Sequence, residues 1–152
     1  MPFKISTKLG VLVLGLIGFV TTVPATAADV YVIAHPSVKL TLPEIRDVYL
    51  GEKQFSGSVK LSPVDNTAIQ GAFLERAINM DPSKYAALWI KKGFRGGLAS
   101  PPVKSGDAEV ISYVKNTVGA IGYISTPPPS GTQQLFKYQH LIRFLLQTGN
   151  NS

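Results

Sequence analysis

Residues 105–125 read SGDAEVISYVKNTVGAIGYIS, and this stretch places a helix directly before a strand. In its first part, Val110, Ile111 and Val114 recur at the spacing of a helix that buries one side. In its second part, residues 119–125 are apolar, bounded by glycine and without a helical period, which is typical of a buried strand. A helix that leads into a buried strand favours an α/β fold.

The residues upstream contain two further strand patterns. Residues 29–36 (DVYVIAHP) are β-branched and aromatic, which predicts a mostly buried strand. Residues 59–65 (VKLSPVD) predict a second strand, which Pro63 makes short or places at a sheet edge. Together with residues 119–125 they predict an α/β fold with a small sheet and flanking helices, in a three-layer-like arrangement.

A helix is predicted between these first two strands. Residues 41–44 (TLPE) form a capping-box pattern, in which Thr41 and Glu44 can each satisfy backbone groups at the helix start. Leu42, Ile45 and Tyr49 share one face of this helix, and Gly51 suits its exit.

Two more helices are predicted after residue 65. Asn66 or Thr67 can cap one that runs to about Met80 and buries an apolar face, namely Ile69, Ala72, Phe73 and Ala77. Asp81 and Pro82 restart the chain as another helix, which should end at Gly93 and bury Tyr85, Leu88 and Trp89.

The remaining segments have weaker patterns. Residues 94–104 are predicted to be irregular, with a short extended piece at 101–103, and residues 126–132 to be a proline-rich loop. Residues 135–138 fit a strand, and residues 141–146 fit either a short helix or a hydrophobic extension.

The first 27 residues predict an export signal. Lys4 and Lys8 precede the apolar residues 9–20, and Ala25-Thr26-Ala27 is a cleavage pattern, with Ala28 as the neighbouring choice. The alternative is an N-terminal membrane anchor. Cleavage leaves residues 28–152 as one domain, periplasmic or secreted. It removes two of the 15 basic residues and none of the 9 acidic ones, so the net charge falls from +6 to +4.

The composition excludes several classes of site. The chain of 152 residues contains no cysteine, which excludes disulfides, thiolate metal sites, a thiol nucleophile and a lipoprotein anchor. The histidines, His35 and His140, have no partner at ligand spacing, so neither a metal nor another cofactor is expected. Known hydrolase and phosphate-loop motifs are absent, and capping or solvation accounts for the acidic residues. We therefore expect a non-enzymatic protein that does not bind nucleic acid.

Two segments remain as candidate binding sites. At residues 65–70 (DNTAIQ) a strand ends and a helix begins, so backbone N–H groups, that of Ala68 included, could form an anion pocket with Asn66, Thr67 and Gln70. Capping alone is an equally good interpretation. The second segment is residues 91–97 (KKGFRGG), in which Arg95 lies between glycines and could bind an oxyanion. Alternatively, the basic residues of this segment could complement the helix dipole in a solvated turn.

Several motifs resemble those of phosphate-type ABC transporter substrate-binding proteins. Residues 40–53 (LTLPEIRDVYLGEK) resemble the family's L-T/S-x-x-E-L-x-D-I-F-x-G-K stretch, and residues 119–124 (GAIGYI) its G-A-I-G-Y-V strand. Between them, residues 59–65 stand where the family has V-x-P-V before its anion loop. Trp89, residues 94–96 and the Pro101-Pro102 pair are similar to a subgroup of short exported members, and the resemblance spans about residues 30–125.

The resemblance implies one lobe of a type II periplasmic binding protein, where the family normally has two lobes that close on phosphate. Thr67 matches the family's serine position in the anion loop, and Gln70 replaces its arginine, a loss of charge for which Arg95 could compensate. The resemblance implies binding of phosphate or a similar small oxyanion for an ABC permease. The alternative is a single-lobe interaction module for an envelope protein that has lost ligand binding. A homodimer could rebuild a two-sided cleft.

Overall fold

The computed structural model describes residues 28–139, so the predicted export signal, His140 and residues 141–146 lie outside the described part. The elements follow in the order β1 (Val30–Ala34), α1 (Leu42–Tyr49), β2 (Phe55–Ser56), β3 (Val59–Lys60), β4 (Ser62–Pro63), β5 (Asp65–Asn66), α2 (Gln70–Phe73) with a π-helical continuation (Leu74–Ile78), α3 (Pro82–Gly96), β6 (Val103–Lys104), α4 (Asp107–Asn116), β7 (Ala120–Ile124) and β8 (Gln133–Tyr138). No helix within residues 28–139 is long and apolar enough to cross a membrane.

A four-stranded sheet in the order β4-β7-β1-β8 forms the centre of the fold. β1 is antiparallel to both of its neighbours, β7 and β8, whereas β4 is parallel to β7. Pro63 lies in the edge strand β4, as predicted, where its missing N–H removes no hydrogen bond from the sheet interior. Residues 135–138 belong to the other edge strand, β8.

Helices cover both faces of this sheet, which confirms the predicted three-layer α/β arrangement. Val30, Val32 and Ala34 of β1 belong to the larger core cluster, which also contains the buried residues of α1, of the α2 segment and of α3. The alternate residues Tyr31 and Ile33 pack on the other face, with the buried side of α4.

Gly122 of β7 permits the close packing of α4 on the sheet. A Cβ atom at this position would lie 2.5 Å from a methyl carbon of Val110 and 3.0 Å from one of Val64. Both distances are shorter than ordinary van der Waals contacts. The glycine of the GAIGYI stretch is therefore required by packing.

The predicted strand at residues 59–65 is instead three two-residue strands in three different sheets. β3 forms a hairpin with β2, β4 joins the central sheet, and β5 pairs in parallel with β6. The backbone N–H of Leu61 donates to Gln54, that of Ser62 donates to Gly119, and that of Asp65 donates to Pro102. The chain changes its pairing partner every two residues, which an alternating pattern does not reveal.

The helix predicted to be capped by Asn66 or Thr67 begins later, at Gln70, with Ile69 as its N-cap residue. Thr67 still belongs to the strand pairing, since its N–H donates to the carbonyl of Lys104. The segment becomes π-helical after Phe73 and ends at Asn79, the one non-glycine residue with a positive φ among those described. The capping prediction is therefore wrong, because pairing of β5 with β6 delays the start of the helix.

The predictions for α1 and α3 are correct at the helix starts and less accurate elsewhere. The Thr41 N–H donates to Glu44 at 2.7 Å, and the Lys84 N–H donates to Asp81 at 2.9 Å, so both predicted caps are present. Leu42 is not on the buried face of α1, since it is 42% exposed. α3 continues through Gly93 and ends before Gly97, whose φ of 65° and N–H bond to the Gly93 carbonyl terminate it.

Candidate functional site

The carboxyl group of Asp65 is buried where β5, β7 and α3 meet. Asp65 is 2% exposed. The Tyr123 hydroxyl donates to its Oδ1 at 2.8 Å and the Tyr85 hydroxyl donates to its Oδ2 at 3.2 Å. Burial raises the pKa of Asp65 to about 6, although hydrogen bonds from Tyr123, Tyr85 and Gln70 act in the opposite direction. The site is therefore a carboxyl group whose charge is costly near neutral pH.

Among residues 28–139, no cation lies within ion-pair distance of this carboxyl group. Within residues 28–139, the three ion pairs involve Glu44, Asp81 and Asp29, and none reaches Asp65. Burial also raises the pKa of the Tyr85 and Tyr123 hydroxyls well above their usual range, and the nearby Asp65 charge adds to this effect. Both hydroxyls consequently remain protonated donors to the carboxylate.

A cavity of about 350 Å³ opens beside Asp65. Its lining combines polar and apolar residues, namely Asp65, Gln70, Tyr85, Ala86, Trp89, Ile90, Ser100, Pro101 and Val103. The indole Nε1 of Trp89 is buried and has no hydrogen-bond partner within 3.5 Å in the described residues. This nitrogen is closed to solvent, so a ligand in the cavity would not reach it, and the indole lies instead beside the Tyr85 hydroxyl, where it opposes the rise of that pKa.

Asn66 does not contribute free hydrogen-bonding atoms to this cavity. It is fully buried, and its Nδ2 donates to Asp107 Oδ1 at 2.7 Å and to the Tyr123 carbonyl at 3.1 Å. Its Oδ1 accepts from the Ala68 N–H at 3.1 Å. Asn66 thus connects β5 to α4 and β7 and positions the adjacent Asp65.

Asp107 completes this internal network. Its Oδ2 accepts hydrogen bonds from the backbone N–H of Ser125 at 2.9 Å, from the Ser125 hydroxyl at 2.7 Å and from Thr126. Burial by itself raises the Asp107 pKa, but these bonds and the one from Asn66 lower it below its usual value. Asp65 and Asp107 therefore have opposite electrostatic environments.

The structure separates the predicted binding residues. Thr67 and Ala68 are exposed, and Gln70 lines the Asp65 cavity. Arg95 is also exposed, but it lines a different, open groove of about 650 Å³ together with Lys84, Lys91 and Lys92. Arg95 consequently does not take the place of a charged group beside Gln70.

Sequence reasoning missed Asp65, because capping or solvation was expected to account for the acidic residues. The signal was an Asp-Asn pair at the end of an apolar segment, without a nearby basic residue in the sequence. His35 is half-buried, and its Nδ1 lies 2.8 Å from the Ser37 hydroxyl. Within residues 28–139, no group of three or more candidate ligands could hold a metal ion.

Comparison with known proteins identifies the fold. No protein-family model and no curated protein matches the chain. Among solved structures, it is similar to a putative phosphate ABC transporter substrate-binding protein with bound phosphate from Clostridium perfringens, with 21% identity, a TM-score of 0.52 and coverage of 72% of this chain and 46% of that one. It is also similar to an ABC-type phosphate transport receptor from Vibrio cholerae, with 15% identity, a TM-score of 0.53 and coverage of 72% and 47%.

The structural similarity covers only a part of those two proteins. The chain spans less than half the length of either solved structure. Its fold is therefore that of part of a phosphate-type ABC transporter substrate-binding protein.

Proposed function

We propose that this chain is a binding protein, not an enzyme, and that its ligand is a small phosphate-like oxyanion that carries a proton. The observation that carries this proposal is the Asp65 cavity. It combines a buried carboxyl acceptor, Asp65, with the side-chain amide of Gln70, which carries N–H donors. A ligand that both accepts and donates hydrogen bonds complements such a site.

The charge of Asp65 restricts which oxyanions fit. An anion without a proton would be repelled by an ionised carboxylate inside a cavity of low dielectric constant. A hydrogen phosphate can donate its own proton to Asp65 while its other oxygens accept from the side-chain amide of Gln70. Below about pH 6 Asp65 is itself protonated, and the repulsion is removed.

A role in uptake belongs to the same proposal. Export to the periplasm or out of the cell follows from the signal-peptide pattern, and delivery to an ABC permease follows from the sequence resemblance. Of the other predicted contacts, Thr67 and Ala68 remain candidates, whereas Asn66 is engaged within the protein and Arg95 lines a different groove. The likeness to the fold of two phosphate-transport proteins supports this role. Because the chain spans under half of them, a second copy could supply the other side of the cleft, and light scattering with and without phosphate would measure this.

Calorimetric titration with phosphate and sulfate, at pH 5 and pH 7.5, tests the ligand. We expect phosphate to bind at both pH values, and sulfate to bind at least tenfold more weakly at pH 7.5 than at pH 5. The variant Asp65→Asn should remove the pH dependence of sulfate binding, whereas Asp47→Asn, in α1, should not. No heat from either anion at millimolar concentration would overturn the proposal.

The alternative function is an interaction module that has lost ligand binding. Two observations favour it: the polar atoms of Asn66 are used within the protein, and Arg95 lies outside the Asp65 cavity. A partner captured from envelope extract should then bind equally well to the wild type and to Gln70→Ala. Loss of this partner in Gln70→Ala would contradict the alternative.

A further inference from the structure

The helix α3 has an unusual distribution of charge. Its fifteen residues contain four cations, Lys84, Lys91, Lys92 and Arg95, and no acidic residue. Lys84 lies 3.4 Å from Asp81, which precedes the helix. The other three have no acidic partner within 4.0 Å among the described residues. The surface of this helix is consequently positive without internal compensation.

An apolar ridge runs along the same helix. Ile90 is 62% exposed and Phe94 is 89% exposed, and their spacing of four residues places them on one face. Tyr85 and Trp89 bury the opposite side of the helix. Two large apolar side chains therefore project into solvent, and core packing does not account for either.

The cations adjoin this ridge on one side. Lys91 and Arg95 each follow a ridge residue in the sequence, and both line the open groove of about 650 Å³. The floor of this groove includes Met80, Leu88 and Leu98. An apolar ridge bordered by Lys and Arg has the amphipathic pattern of helices that lie in a membrane interface.

We propose that α3 is a docking surface for a membrane of anionic phospholipid. Phe94 and Ile90 enter the interface between headgroups and acyl chains, while Lys91 and Arg95 contact the lipid phosphates. The uniform positive charge complements an anionic surface. A lipid surface fits this face better than an acidic protein does, because Phe94 protrudes and a deformable interface needs no matching pocket.

The depth of Phe94 in the membrane can be measured on the full chain. We substitute Phe94→Trp and, as a matched control on α4 across the sheet, Ser112→Trp, and add vesicles of phosphatidylglycerol or phosphatidylcholine with brominated acyl chains. The native Trp89 contributes equally to both variants. With phosphatidylglycerol vesicles, we expect the fluorescence of Phe94→Trp to be quenched at least threefold more strongly than that of Ser112→Trp. Equal quenching at both positions, which binding through another segment would cause, overturns the proposal.

The contribution of charge is tested by sedimentation with the same vesicles. Lys91→Glu and Arg95→Glu should each reduce the affinity for phosphatidylglycerol at least threefold, whereas Lys115→Glu, on α4, should change it less than twofold. Circular dichroism checks that each variant is folded. Equal effects of all three variants contradict the proposal. A further outcome would also overturn the membrane proposal. If the protein is retained on immobilised polyglutamate but Phe94→Trp is not quenched by the vesicles, the face binds an acidic protein instead.

Discussion

At the scale of single residues, the two aspartates at the end of the sheet differ in how their charge is stabilised. Asp107 accepts several hydrogen bonds, including two from backbone N–H groups, and its pKa is lowered. Asp65 is supported by hydroxyl groups and Gln70, and burial raises its pKa to about 6. Asp107 is only half-buried whereas Asp65 is almost fully buried, so the cost of removing the charge from water outweighs the hydrogen bonds at Asp65 but not at Asp107.

Replacement of Asp65 should therefore change how stability depends on pH. Since the pKa of Asp65 rises on folding, the folded state holds its proton more tightly, and stability is lost as the pH rises through 6. A rise from 3.8 to about 6 corresponds to roughly 3 kcal/mol. The difference in the free energy of unfolding between Asp65→Asn and the wild type should accordingly shift in favour of the variant by about 2–3 kcal/mol when the pH is raised from 4 to 8. Urea denaturation at both pH values measures this gain, and a difference that is independent of pH would contradict it.

At the scale of elements, sequence patterns succeeded where an element has its own local hydrogen bonds or one continuous apolar face. The helix and strand of residues 105–125 and the caps at Thr41 and Asp81 were predictable, because local hydrogen bonds and apolar periodicity determine them. The segment 59–66 was not, because each pair of residues bonds to a different distant strand. The Asp65 cavity depends on that segment, so only Gln70 among its lining residues was predicted as a site residue.

The contact between α4 and β7 provides a test at this scale. Gly122→Ala places a Cβ atom 2.5 Å from Val110, so the helix must move or the side chain must leave its rotamer. We expect a loss of about 1–3 kcal/mol in the free energy of unfolding. Gly71→Ala is the matched control, because nothing lies within 4 Å of its added carbon. Its stability should stay the same or rise, and a similar loss in both variants would be evidence against the packing argument.

At the scale of the whole molecule, stability should pass through a maximum on the acidic side. The contribution of Asp65 is lost as the pH rises from about 4 to 6. The contributions of Asp107 and of Glu44, whose pKa is lowered to about 2 mainly by its hydrogen bond from the Thr41 backbone, are lost as the pH falls below their ordinary values. The opposing trends predict a maximum near pH 4 to 5. Denaturation curves from pH 3 to pH 8 measure it, and a continuous rise up to pH 8 would disprove it.

The position of β1 has a consequence for how the chain folds during synthesis. β1 is the first described strand, yet its partners β7 and β8 are the last two. Its two rows of backbone hydrogen bonds must wait until residue 138 has left the ribosome, and such distant contacts slow folding. Until β7 has emerged, the apolar residues of β1 have no strand of the central sheet to pair with. The last two strands of the described part thus determine when its first strand becomes stable.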